Sequence, residues 1–153
     1  MFMRHSLHGL LIALALASLG PGLRPALAGP EVHTTGGIAI HGADPVAYFT
    51  TGRAVAGVPA YALMWAGATW YFASAEHMAA FEADPRAYAP QFGGYCAHAA
   101  AQGGLLAARP EIFVIHEGKL YLAATQDALD QWRADAPGHI AAAQRNWRDL
   151  IDE

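Results

Sequence analysis

A second cysteine is the plainest absence, since Cys96 is the only thiol in 153 residues. A lone thiol cannot close an internal disulfide, so in an oxidising compartment Cys96 is buried, metal-bound, reactive or paired between chains. Lysine is as scarce, with Lys119 alone, and nine Lys and Arg stand against thirteen Asp and Glu for a net charge of −4. Phosphate-backbone binding needs clustered cations, and their scarcity argues against a nucleic-acid partner. There is no Gly-x-Ser-x-Gly elbow, phosphate-cradling glycine loop or His-Glu-x-x-His pair, so hydrolase, nucleotide-binding and zincin chemistry lack support. No apolar run reaches the ~20 residues of a membrane span.

The longest apolar run, Gly9 to Leu19, follows a short segment carrying Arg4 and ends at Gly20-Pro21. Ala26-Leu27-Ala28 then supplies the small-x-small pattern of a signal-peptidase site. The expectation is a secretory signal over residues 1–28, cleaved before Gly29, and a periplasmic or secreted protein with no stable membrane insertion afterwards. Residues 29–153 are one domain's worth of chain, with seven basic against thirteen acidic residues. Such an acidic balance chiefly favours solubility.

Turn signals divide this segment into short elements. Val32 to Thr35 reads as an extended arm and Ile38-Ala39-Ile40 as a short strand. Asp44-Pro45 offers an N-cap and an N1 proline to a helical turn that Thr50-Thr51-Gly52 closes. Ala60 to Trp65 and Thr69 to Ala73 flank Ala66-Gly67-Ala68 as an aromatic-rich hairpin. Ser74 caps a helix that Asp84-Pro85 ends. Tyr95 to Gln102 reads as a short helix after the Gly93-Gly94 breaker. Ile112 to His116 and Lys119 to Leu122 form a second hairpin, expected to extend the sheet. Thr125 to Ala134 and His139 to Leu150 have helical periodicity. The fold class expected is α+β, a small antiparallel sheet of hairpins packed with short helices.

The candidate chemistry lies between Ser74 and His98. His77 falls at N3 of the helix capped by Ser74, pointing across its first turn towards the hairpin end. Cys96 falls in the first turn of the next helix, where unpaired backbone N–H groups favour a thiolate, and with it metal ligation or nucleophilic attack. His98 lies about 200° round a helix from Cys96, so the two cannot easily chelate one ion on regular backbone. Tyr48, Trp65, Trp70, Tyr71 and Tyr95 could line an organic-ligand pocket, although aromatic residues of this kind more often fill a core.

Asp44-Pro45-Val46, the hairpin Trp65 to Phe72, Ser74, Phe81, Asp84-Pro85 and Tyr88 resemble the YHS domain. Gly36 to Ile40, Tyr88 to Ala97 and Gly118 to Leu122 extend the likeness, over nearly all of the segment from Gly29, to the exported YHS domain-containing proteins of bacteria. The resemblance implies a small α+β fold and a metal-binding role beside copper and other heavy-metal transport proteins. This chain departs from the metal-associated modules, which carry cysteines where it has Ala47, Ala73 and His77. Only His77 keeps a ligand-capable group at those places.

The leading expectation is a non-enzymatic periplasmic binding protein that handles a soft or borderline metal ion, copper or zinc, through a sparse site. Cys96, His77 and His98 are its candidate ligands, with His41 or Met78 as further joiners. The alternatives are a redox or nucleophilic protein using Cys96, with His77 or His98 as base, and a small-organic-ligand binder with an aromatic pocket.

Overall fold

The computed structural model describes residues 31–152, so the expected signal segment, residues 1–28, and the cleavage point before Gly29 lie outside the described residues. The fold is α+β, with six α-helices and two small sheets among those residues. The larger sheet has the strand order β1-β2-β4-β3. Two short strands, β1 (Thr34–Thr35) and β2 (Ile38–Ala39), pair antiparallel through Gly36-Gly37. The aromatic hairpin consists of β3 (Val58–Trp65) and β4 (Ala68–Phe72). Its tip is Ala66-Gly67, with φ of 48° and 75°, the left-handed pair that a two-residue hairpin turn requires.

Two sheet expectations are corrected. The sheet is mixed, because β2 runs parallel to β4 with Ile38 opposite Thr69. The second hairpin, β5 (Arg109–His116) and β6 (Lys119–Ala123), does not extend it but forms a separate two-stranded sheet. A single backbone bridge from Leu122 to Cys96 and side-chain contacts dock that hairpin on the rest. The Tyr48 hydroxyl donates to the Pro110 carbonyl at 2.8 Å, and the Tyr48 ring meets Phe113 edge-on at 4.7 Å. Burial, helped by the nearby Glu111 and Asp44 charges, pushes the Tyr48 phenol far above its ordinary pKa, so it remains a donor.

Helix α1 (Ala47–Thr50) links the small strands to the hairpin, and α2 (Ala75–Ala83) and α3 (Pro85–Tyr88) follow β4. A left-handed 3-10 turn over Gln91–Gly94 leads into α4 (Ala97–Ala101). The chain ends in α5 (Gln126–Ala134) and α6 (Ala136–Asp152). The main core gathers Trp70, Phe72 and Phe81, with the Phe81 ring 5.2 Å from each of the other two. Leu120 and Leu122 of β6 join this core. Trp132 of α5 packs with Tyr121 in a second cluster, and Ala100, Ala101 and Ala143 seat α4 on α6 in a third. No described helix is long and apolar enough to cross a membrane.

Candidate functional site

Among the described residues Asp44 is the only charged or polar one in the buried set, at 0% exposure. A carboxylate so placed must have every lone pair occupied. Its Oδ1 accepts from the Val46 and Ala47 N–H groups at 2.8 and 3.3 Å, just ahead of α1, whose N-cap is Val46 and not the Asp44 expected from the sequence. Its Oδ2 reaches across the fold to the Ala73 N–H at 2.8 Å and to His77 Nδ1 at 2.5 Å. One side chain thus ties the loop before α1 to the β4–α2 junction. Ser74 caps α2 as expected, its hydroxyl accepting from the His77 N–H at 3.2 Å. With Nδ1 held by Asp44, the far nitrogen of His77 lies 3.3 Å from Thr50 Oγ1.

The three candidate ligands do not share a site. His77 pairs with Asp44 and Thr50. Cys96 is 1% exposed, and its backbone joins the Leu106 carbonyl at 2.8 Å and a bridge to Leu122. It is the N-cap of α4 instead of a first-turn residue, because the helix begins at Ala97. His98 lies beside His139, with ring centroids 5.2 Å apart. Among the described residues no group of three or more His, Cys, Asp or Glu is placed to hold a metal ion. Cys96, His77 and His98 therefore do not fit one copper or zinc ion. The proposed joiners have other partners too, His41 with Thr35 and Met78 with the main core.

A cleft of about 360 Å³ opens elsewhere, between the aromatic hairpin, the 3-10 turn and α6. Trp65 and Trp70 form one side, fixed to each other because the Trp70 indole N–H donates to the Trp65 carbonyl at 3.0 Å. Trp147 of α6 forms another, steadied by Phe92 at 5.6 Å and Tyr95 at 6.1 Å. Gln91 supplies an amide, and Arg86 and Lys119 bring two cations against the single carboxylate of Glu31. Like Arg53, Arg145 and Arg148, and unlike Arg109 and Arg133, neither Arg86 nor Lys119 has an ion pair among the described residues. Of the five aromatics expected to line a pocket, Trp65 and Trp70 do so here. Tyr71 lines a different cleft and Tyr48 is core.

Sequence reasoning missed Arg86, Lys119, Gln91 and Trp147. Lys119 was the one available signal, as the sole lysine at the start of a strand. Nothing local joins it to Arg86, 33 positions earlier. The chain matches no protein-family model, no characterised protein and no solved structure.

Proposed function

We propose that this chain is an exported, non-enzymatic binding protein of the YHS type whose cleft takes a small organic anion with a flat apolar body. The observation that carries this reading is the meeting of Trp65, Trp70 and Trp147 with two unbridged cations in one cleft. Its volume of about 360 Å³ suits a small molecule. Trp65 and Trp147 supply apolar area and stacking faces, with the buried Trp70 behind them, and Arg86 and Lys119 supply charge-assisted hydrogen bonds to a carboxylate. Residues are arranged there for recognition; Cys96, the one nucleophile the sequence favours, is buried outside the cleft lining.

Titration of intrinsic tryptophan fluorescence with benzoate, phenylacetate and indole-3-acetate, beside the neutral benzyl alcohol, tests this. Saturable quenching by the carboxylates is expected, weakened about tenfold or more in Arg86→Gln and in Lys119→Gln, in line with a lost charged hydrogen bond. Equal response to benzyl alcohol, or no saturation by any of the acids, overturns the reading. Of the residues in the metal-handling expectation, His41 has the His33 ring beside it and His98 the His139 ring; the His41 Nδ1 is engaged by Thr35, and the case for the His98 pair is independent of the cleft.

A further inference from the structure

We infer that His98 and His139 form a binding site for a divalent transition-metal ion of borderline softness, held by two imidazole nitrogens with its remaining positions open to water or an outside ligand. His98 stands on α4 and His139 in the first turn of α6, and the helices are held in register independently of either ring. Ala100, Ala101 and Ala143 pack between them, and the Asn146 amide donates to the Ala100 and Ala101 carbonyls at 3.1 and 3.2 Å. The ring centroids are consequently 5.2 Å apart, with the planes at 50°. With a Zn–N bond of about 2.0–2.1 Å, an imidazole centroid sits about 3.2 Å from the ion, so two rings at a tetrahedral angle stand about 5.2 Å apart. The observed spacing meets that requirement without movement of either helix.

The nitrogens have the required partners and vacancies. His139 Nδ1 lies 2.8 Å from the Asp135 carbonyl, and with that N–H donating, the lone pair resides on Nε2. An imidazole anchored to a carbonyl through its other nitrogen is the usual arrangement of a metal-binding histidine. His98 Nδ1 is buried with no hydrogen-bond partner, a costly state for a ring nitrogen that a metal–nitrogen bond would relieve. Desolvation first, and the His139 ring second, lower the His98 pKa, so it is neutral and able to ligate at neutral pH. No third His, Cys, Asp or Glu completes the set among the described residues, which leaves the site open and its affinity modest. Imidazole pairs suit Zn(II), Cu(II) and Ni(II).

Zn(II) titration of the purified chain under reducing conditions, followed by histidine ring 15N resonances and by calorimetry in two buffers, is the test. The expected result is a saturable shift of the His98 and His139 ring nitrogens. Binding should weaken at least tenfold in His98→Ala and in His139→Asn, and persist in His77→Ala and Cys96→Ser. Loss of binding in Cys96→Ser, or unshifted His98 and His139 rings, overturns the inference. The wild-type ring shifts decide the matter even where a variant folds poorly. None of these readouts depends on Arg86 or Lys119, so failure here leaves the cleft reading untouched, and the converse holds.

Discussion

Asp44 shows how much a single buried carboxylate can organise. It accepts four hydrogen bonds from residues on both sides of the main core, and its removal leaves the buried Val46 and Ala47 amides without their acceptor. Stranding such groups is the expensive kind of substitution. Asp44→Ala is therefore expected to cost about 3–5 kcal/mol in urea unfolding, the range for breaking a buried hydrogen-bonded charge. His77→Ala, which removes one of the four donors from a residue partly open to solvent, should cost about 1 kcal/mol. Equal costs would show that the imidazole, not the backbone amides, dominates the network. His98 supports a prediction of a different kind, because its folded pKa lies below the ordinary 6.5, through desolvation and then His139. The unfolded chain then binds the proton more readily than the folded one, so this contribution favours folding above the unfolded pKa and is lost as pH falls through the window beneath it. Between pH 7.5 and pH 5.5 the native chain should lose more stability than His98→Ala, as measured by paired urea titrations. A larger loss in the variant would reverse the sign. Asp44 was half legible from sequence: an Asp that accepts from the amides two and three residues on is local chemistry, even with the helix starting two residues later than expected, whereas a bond to residue 77 depends on where the hairpin returns the chain.

Elements were more legible than their assembly. The Glu117-Gly118 turn, the Ser74 cap and the Asp84-Pro85 break are local events that fall where the sequence places them, and the first hairpin turn is one residue tighter than expected, with Ala68 already in β4. The parallel register of Ile38 on Thr69 and the separation of the second hairpin are non-local outcomes, as is the docking of that hairpin through Tyr48 on Phe113 and Pro110. The cleft was illegible for the same reason, since its walls come from both hairpins, the 3-10 turn and α6. That 3-10 turn is the element on which the cleft most depends. Phe92, Gly93 and Gly94 all have positive φ, of 54°, 60° and 80°. The Gly93 carbonyl accepts from the His33 N–H at 2.9 Å, so the N-terminal arm lies directly on it. A Cβ at Gly93 would fall 1.8 Å from the Glu31 carbonyl oxygen, a backbone atom. Gly93→Ala must then displace the arm and also adopt a left-handed conformation, at about 1–3 kcal/mol for the strained backbone. The expected result is a lower urea midpoint with faster proteolysis near residue 31 and weaker quenching by phenylacetate. An unchanged midpoint would mean that the arm contributes nothing to holding the turn.

At the scale of the whole molecule, the cleft and the buried thiol lie on one continuous stretch of chain. Gln91, Phe92 and Gly93 line the cleft, and two residues later Tyr95 and Cys96 are inside, with Cys96 in the same core as Trp70, Leu120 and Leu122. Cys96 can meet a reagent only when that core opens, so its alkylation reports on the stability of the domain. Iodoacetamide should modify Cys96 slowly in buffer, and the rate should climb with urea along the equilibrium unfolding curve, as expected where opening is rapid compared with modification. An anion that binds only the folded cleft must slow the same reaction by mass action. At phenylacetate ten times above its dissociation constant the rate should drop about tenfold. Arg86→Gln should remove most of that protection at the same phenylacetate concentration, with only a small change in the unliganded rate, because its exposed side chain has no ion pair to lose. Fast alkylation independent of urea would place Cys96 within reach of solvent through a local opening and return thiol chemistry to the front. Slow alkylation that phenylacetate leaves unchanged would keep the thiol structural while removing the organic anion, which separates the two questions within one assay.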